Sequence, residues 1–256
     1  MTTAQTKYDY NDPTRLPKPA DEAERSRQTR LSDTLGPIEG MLFLGEAWKL
    51  YEYARLVPAG GRAPCVVEIG SFKGRSSAAL ALGLHDRGAG RLHAIDPNHQ
   101  PEFGPNLERS GVQDVVVAVK SGSHEARGEF APSSVDLLFV DGSHEYQDVV
   151  QDVEDWTGAL AEGAIVAFND PGWTGVNKAL REAVARMGTP FRRPSFLDNT
   201  LFFEFRPSAP WSLEDTARLL TLRAFLAIKL WQSQANVTVP QSARRFARSA
   251  LRSILR

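Results

Sequence analysis

The sequence predicts an α/β protein: a doubly wound, mostly parallel sheet, preceded by an N-terminal arm and followed by a C-terminal helical extension. Three observations predict it. Short apolar runs bounded by turn residues recur through the middle of the chain, at Cys65–Ile69, Arg91–Ile95, 115–119, Val135–Val140 and 164–168. Segments of helical period lie between them, so successive strands are joined by right-handed crossovers. With 256 residues, 42% of them hydrophobic, the chain can bury one sizeable core.

Residues 1–33 are polar and carry Pro13, Pro17 and Pro19. They read as an extended or mobile arm, either inert or a lid over a site. Residues 34–206 read as the main domain. Over 38–56, Met41, Leu44, Trp48 and Tyr51 recur at helical spacing. Gly60-Gly61 breaks the chain before the first strand. Helices are expected at 76–84, around 105–110, at 146–160 and at 176–187. In the third of these, Val149, Val153, Trp156 and Leu160 share a face, while Asp148, Asp152, Glu154 and Asp155 face water or the helix start. Residues 191–193 and 200–205 form a closing pair, which puts one antiparallel strand near an edge.

Residues 207–256 read as the helical extension. The stretch 219–231 is apolar nearly all round and is expected to be buried, with a subunit interface as one cover. Over 243–256, five arginines (Arg244, Arg245, Arg248, Arg252, Arg256) alternate with Phe246, Leu251, Ile254 and Leu255. This is a basic amphipathic helix, able to touch an anionic surface or to pack on its own protein or a second copy.

Lys and Arg number 30 against 31 Asp and Glu, so no global field points to nucleic acid. The single cysteine, Cys65, excludes an internal disulfide and a thiolate zinc cluster. No apolar stretch is long enough for a membrane span, and no basic start followed by an apolar run is visible, so a cytoplasmic protein is expected.

In open α/β sheets ligands bind beyond the carboxyl ends of the strands. The turn Gly70-Ser71-Phe72-Lys73-Gly74 lies there, and Ser76 opens the following helix with its free N–H groups. The spacing is GxxxG where a dinucleotide fingerprint needs GxGxxG, so a cofactor without a pyrophosphate suits it better. Asp96 ends the second strand, where a carboxylate can accept both hydrogen bonds of a ribose diol; otherwise it is a turn acid before Pro97. Glu68 is either an acid of the cofactor site or a group that stabilises the turn.

Asp141 ends the fourth strand, and Asn169 and Asp170 end the fifth. If those strands are adjacent, two carboxylates and an amide carbonyl meet as a hard oxygen site suited to magnesium. Otherwise these are strand-end turn residues. His144 follows in the turn after Asp141. A lone histidine is more often structural, but this one neighbours a candidate ligand and could act as a general base. Trp173, in Pro171-Gly172-Trp173-Thr174-Gly175, either stacks on a ring of the acceptor or packs in the core.

The ordered motifs VVEIGSFKGRSS, HAIDP, VDLLFVDGSHEY and GAIVAFND resemble those of class I S-adenosylmethionine-dependent methyltransferases, over roughly residues 35 to 206. The resemblance implies a Rossmann-like, seven-stranded sheet of order 3-2-1-4-5-7-6 with the seventh strand antiparallel. It implies cofactor contacts at Ile38, Glu39, Gly70, Ser71, Ser76, Asp96 and the loop 121–124, including Ser123 and His124. Asp-x-x-His with a distal acidic pair further resembles metal-dependent bacterial sugar O-methyltransferases, although that family typically has an acid where Asn169 stands. The implied reaction takes a methyl group from S-adenosylmethionine to a sugar hydroxyl. Magnesium on Asp141, Asn169 and Asp170 would chelate vicinal substrate oxygens, and His144 would take the proton. The expected partners are a saccharide acceptor, no nucleic acid, and a second copy in a homo-oligomer. A catechol-type enzyme is the alternative within the class, disfavoured because a lysine usually stands at the place of His144. An NAD-dependent oxidoreductase and a non-catalytic nucleotide-binding or membrane-surface adaptor are the alternatives outside it.

Overall fold

The computed structural model describes residues 8–234. Its centre is a seven-stranded sheet of order β3-β2-β1-β4-β5-β7-β6. The strands are β1 (Cys65–Ile69), β2 (Arg91–Ile95), β3 (Val116–Val119), β4 (Val135–Val140), β5 (Leu160–Asn169), β6 (Phe191–Leu197) and β7 (Thr200–Phe205). Strands β1 to β5 pair in parallel, and β7 runs antiparallel between β5 and β6. This is the seven-stranded order that the sequence motifs imply.

Helices cover both faces. On one lie α1 (Glu22–Leu35), α2 (Leu44–Leu56) and α3 (Arg75–Arg87), where Leu31, Trp48, Tyr51 and Leu80 pack with Leu137, Phe139 and Phe202 of the sheet. α4 (Phe103–Arg109) joins that face through Phe103 and Leu107. On the other lie α6 (Tyr146–Thr157), α7 (Thr174–Ala179) and α8 (Leu213–Gln234), whose Val149, Trp156, Val176 and Phe225 pack with Val67, Leu138 and Phe168. The short α5 (Ser123–Ala126) adds Ala126 there. The two-residue period of a strand sorts each strand's side chains between these layers. By that parity Glu68, Asp141, Asn169 and Thr200 all fall on the α2–α3 side of the sheet.

Several expectations are corrected. The arm is not extended over 22–35: it is α1, capped by the Asp21 carboxylate, which accepts from Glu24 N at 2.7 Å. Its polar surface faces water, and Leu31 and Leu35 hold it to the core. α2 begins only at Leu44, and Met41 is 62% exposed, so it does not belong to the apolar face assigned to it. Asp152 is buried rather than solvated, because Ser123 Oγ donates to it across the α5–α6 contact. Leu160 opens β5 instead of ending α6. The helix expected over 176–187 is α7 followed by a wider π turn at Leu180–Val184. α8 buries Leu219, Leu222, Phe225 and Leu226, but Leu213, Leu220, Ile228 and Trp231 are exposed, so only one face of the apolar stretch is covered. The basic stretch 243–256 lies outside the described residues. No helix among the described residues is long and apolar enough to cross a membrane.

Candidate active site

The carboxyl edge of the sheet gathers both expected clusters. The turn after β1 opens with Gly70 at φ +86°, a conformation that glycine adopts without strain. A side chain there would meet the Asp141 carbonyl oxygen at 2.3 Å, so the glycine turn and the start of the β4 loop are in backbone contact. Gly74, also at φ +86°, then leads into α3. Asp96 braces the turn: its Oδ2 accepts from Ser71 N at 3.1 Å and Phe72 N at 3.0 Å, and its Oδ1 from Asn98 N at 2.8 Å. Oδ1, which accepts one bond, keeps further capacity for a ribose hydroxyl, while Oδ2 is filled by its two backbone donors. Ser71 is buried, and its hydroxyl oxygen has no hydrogen-bond partner among the described residues. Such a group is costly unless something else completes it.

Glu68 is fully buried beside α3, where Ser76 and Ser77 bond one side of its carboxyl. Its Oε1 has no partner among the described residues. Burial, with Asp96 adding to it, pushes this acid up to about 7. Ile38 is buried in the core rather than offered to a ligand by its side chain. Glu39 is largely exposed and paired at 2.7 Å with Lys73 of the glycine turn. On the far side, Ser123 is taken up by Asp152, and His124 Nδ1 lies 2.7 Å from Asp155 Oδ2 with its side chain 66% exposed. That pairing raises the His124 pKa. Of the expected cofactor set, the structure brings Glu68, Gly70, Ser71, Ser76 and Asp96 together and turns Ser123 and His124 towards α6.

A residue absent from the sequence reading holds the cover of this turn. Arg75, 4% exposed, donates from Nε to Leu42 O (2.9 Å), from Nη1 to Leu35 O (2.7 Å) and Ile38 O (2.9 Å), and from Nη2 to Tyr10 O (3.1 Å) and Asn11 Oδ1 (2.8 Å). No carboxylate is among these acceptors, and burial pushes its pKa down to about 10. Tyr10 is drawn in beside Phe43, with ring centroids 4.7 Å apart.

At the chemical end, Asp141, His144, Asp170 and Trp173 converge. His144 Nε2 is 3.7 Å from Asp170 Oδ2, buried, and without a hydrogen bond among the described residues. Its ring stacks on Trp173, centroids 4.8 Å apart and planes at 26°. Trp173 is otherwise 57% exposed, so it is not a core residue. Gly175 fixes the loop's position: a side chain there would strike the His144 carbonyl oxygen at 2.2 Å. Asp170 adopts φ +51°, a left-handed bend that aspartate tolerates better than most residues. Desolvation raises the Asp170 pKa against the nearby His144 and Lys229, and desolvation with Asp170, Glu68 and Glu46 nearby raises that of Asp141 well above the usual range.

Asn169 does not offer its oxygen. Its Nδ2 donates to Asp141 Oδ1 at 3.0 Å, and its Oδ1 faces Thr200 Oγ1 at 2.9 Å. Glu46 stands behind Thr200, fully buried and pushed up to about 8 by desolvation. Among the described residues no group of three or more His, Cys, Asp and Glu side chains is set to hold a metal ion. Asp141 and Asp170 are hard oxygen donors of the kind magnesium takes, but no third ligating side chain joins them among the described residues. Asn169 does not fit as a ligand in this orientation, because its amide nitrogen faces Asp141.

The buried acids make a prediction about stability. Glu46 and Glu68 hold their protons to about 8 and about 7 in the fold, against 4.5 for an exposed glutamate. The folded chain thus binds more protons across that window. The stability this lends is complete below pH 4.5 and is lost as pH rises through 7 to 8. Thermal melts should show Tm falling from pH 6 to pH 8.5, and Glu68→Gln should flatten the slope by up to about 1.4 kcal/mol per pH unit. An unchanged slope in the variant would exclude Glu68 as a source.

Residues 67–171 match a family described as a methyltransferase domain. That span runs from β1 to the loop after β5 and contains both clusters apart from Trp173. The chain is 29% identical over 113 residues to the uncharacterized protein R132 of Acanthamoeba polyphaga mimivirus, covering 41% of this chain and 50% of that protein. The chain thus spans about half the length of that curated relative. A Corynebacterium glutamicum protein superimposes with a TM-score of 0.56 at 16% identity, over 76% of this chain and 94% of the other. The O-methyltransferase TomG from Streptomyces achromogenes, crystallised with SAM, gives a TM-score of 0.52 at 20% identity, over 75% and 92%. Residues 67–171 are thus similar to a methyltransferase domain, and the chain has the Rossmann-like fold of these structures.

Proposed function

We propose that this domain transfers the methyl group of S-adenosylmethionine to a hydroxyl oxygen, and that the acceptor is a sugar of a polysaccharide or glycosylated natural product. One observation carries the reading: the glycine turn that would hold the donor packs by backbone contact on Asp141, at the head of the loop that ends in His144. A donor seated on that turn would have its methyl group within reach of the His144–Asp170 pair. The binding of SAM by TomG, on the same fold, supports the choice of donor.

The chain's own groups divide the work. Glu68, Gly70, Ser71, Ser76 and Asp96 bind the nucleoside part, the Ser71 hydroxyl and Glu68 Oε1 being the buried polar atoms there without a partner among the described residues. Ile38 and Glu39 cover it through the backbone that Arg75 holds. His144 Nε2 accepts the proton of the attacking hydroxyl, and Asp170, 3.7 Å away, stabilises the imidazolium that results. Trp173, stacked on His144 with its other side open, offers a flat apolar face to a sugar ring. Asp141 and Asp170 would hold a magnesium ion, which when bound lowers the pKa of a substrate hydroxyl.

Calorimetry and turnover test this. The protein should bind S-adenosylhomocysteine and give no heat with NAD. It should methylate members of a panel of mannosides and macrolide sugars, lose that activity to EDTA and regain it with magnesium. Binding of NAD without S-adenosylhomocysteine would overturn the donor assignment, and full activity after exhaustive chelation would remove the metal.

A further inference from the structure

We propose that Thr200 is a positioning residue, anchored by Glu46, that fixes which atom of the Asn169 side chain faces Asp141. The proposal rests on the reading above only in taking Asp141 as part of the reacting site.

The placement follows from the sheet. Asn169 and Thr200 are register partners across the antiparallel β5–β7 pair, and their side chains lie on the face that α2 covers. Asn169 is 5% exposed and Thr200 and Glu46 are fully buried. Thr200 Oγ1 is 2.9 Å from Asn169 Oδ1 and 2.9 Å from Glu46 Oε1. A hydroxyl has one proton and here has two acceptors. The conflict is resolved by asking which neighbour can give way.

The amide cannot turn over unaided. Its Nδ2 donates to Asp141 Oδ1 at 3.0 Å, and with that oxygen accepting, reversal would set two acceptors against each other at that distance. The NH2 group therefore stays on Asp141, and the amide oxygen takes the Thr200 proton. The Thr200 oxygen then accepts a hydrogen bond from the carboxyl O–H of a neutral Glu46, 2.9 Å away. The raised pKa of Glu46 agrees with a neutral carboxyl there. Glu46 is itself fixed by Phe43 N at 2.9 Å and Asn199 N at 2.6 Å. The result is a directed chain, Glu46 to Thr200 to Asn169 to Asp141, in which each member orients the next. Asp141 Oδ1 is committed to the amide, leaving Oδ2 to face a ligand.

The test reads the amide itself. In a 15N-labelled full-length protein, the Asn169 side-chain NH2 pair is identified by its loss in Asn169→Ala. Thr200→Val should shift that pair and speed its exchange with solvent, and Thr200→Ser should restore it. With methyl transfer as the readout, Thr200→Val should lower kcat about tenfold with KM for the methyl donor unchanged. Thr200→Val/Asn169→Ala should be no worse than Asn169→Ala alone, because the two act as one unit. An amide pair unmoved in Thr200→Val, or losses that multiply in the double variant, would overturn the proposal. If Thr200→Val does not fold, Thr200→Ala, smaller on the same face, carries the same expectations. Because the resonance needs no turnover, a protein inactive on every sugar would refute the assigned reaction and leave the amide result standing.

Discussion

Replacing His144 with alanine should lower kcat by about 10²–10⁴-fold, the range of a positioned general base, while affinity for S-adenosylhomocysteine stays within about twofold. The separation is structural. His144 touches Asp170 and Trp173, and none of the groups around the Gly70 turn bonds its side chain. An aliphatic hydroxyl is a poor nucleophile until its proton has somewhere to go, and His144 Nε2, buried beside Asp170, has no hydrogen-bond partner among the described residues. His144→Gln, which keeps a polar group but cannot take up the proton, should be nearly as impaired as alanine. Single-turnover measurement with saturating donor separates this from slow product release. Undiminished turnover in either variant would remove the base from the mechanism.

Arg75→Leu should be the most destabilising single change outside the apolar core. The substitution keeps some bulk and removes the donors that serve Leu35, Ile38, Leu42, Tyr10 and Asn11. Leu35 O and Tyr10 O keep backbone donors, Ile38 N at 3.0 Å and Leu44 N at 3.1 Å, so the buried carbonyls of Ile38 and Leu42 are left without donors, at about 1–3 kcal/mol each where water cannot reach them. A total near 3 kcal/mol lowers Tm by roughly 6–12 °C in a domain of this size. Arg75→Lys should recover little, because one ammonium group cannot span acceptors arranged around a planar fork. The same variants should weaken S-adenosylhomocysteine binding, since the segment that Arg75 holds contains Ile38 and Glu39. A melting curve superimposable on the wild type would show that the clasp contributes nothing.

The sheet was legible because burial on both faces forces apolar runs, and the turns between them carry glycine and proline. Val135–Val140 is buried along its whole length, as a central strand should be. The first helix escaped notice because its core contacts are only Leu31, Leu35 and Gln28, too sparse for a period to stand out. Its signal was local: Asp21 caps the helix and Glu24 reaches back to Ala20 N. Strand ends pointed to Asp141, His144, Asp170 and Trp173, which the structure brings together at the carboxyl edge of the sheet. Glu46, Thr200 and Arg75 could not be read this way. Glu46 looks like a first-turn helix acid until β7 is laid against β5, and Arg75 looks like a solvent-facing residue until the chain's beginning folds over it. The Asn169 amide was expected to give its oxygen to a cation; a cross-strand hydroxyl, invisible in one dimension, takes that oxygen instead.

The hairpin joining β6 to β7 has a consequence for how such proteins diverge. Only Asp198 and Asn199 separate the two strands, and strand side chains alternate between faces. Lengthening that bend by a single residue, if β7 slid to absorb it, would swing Thr200 to the opposite layer and put the inserted residue opposite Asn169. The chemistry of the distant carboxylate would change with no alteration to any residue that meets substrate, so loop length here acts as a tuning parameter for reactivity.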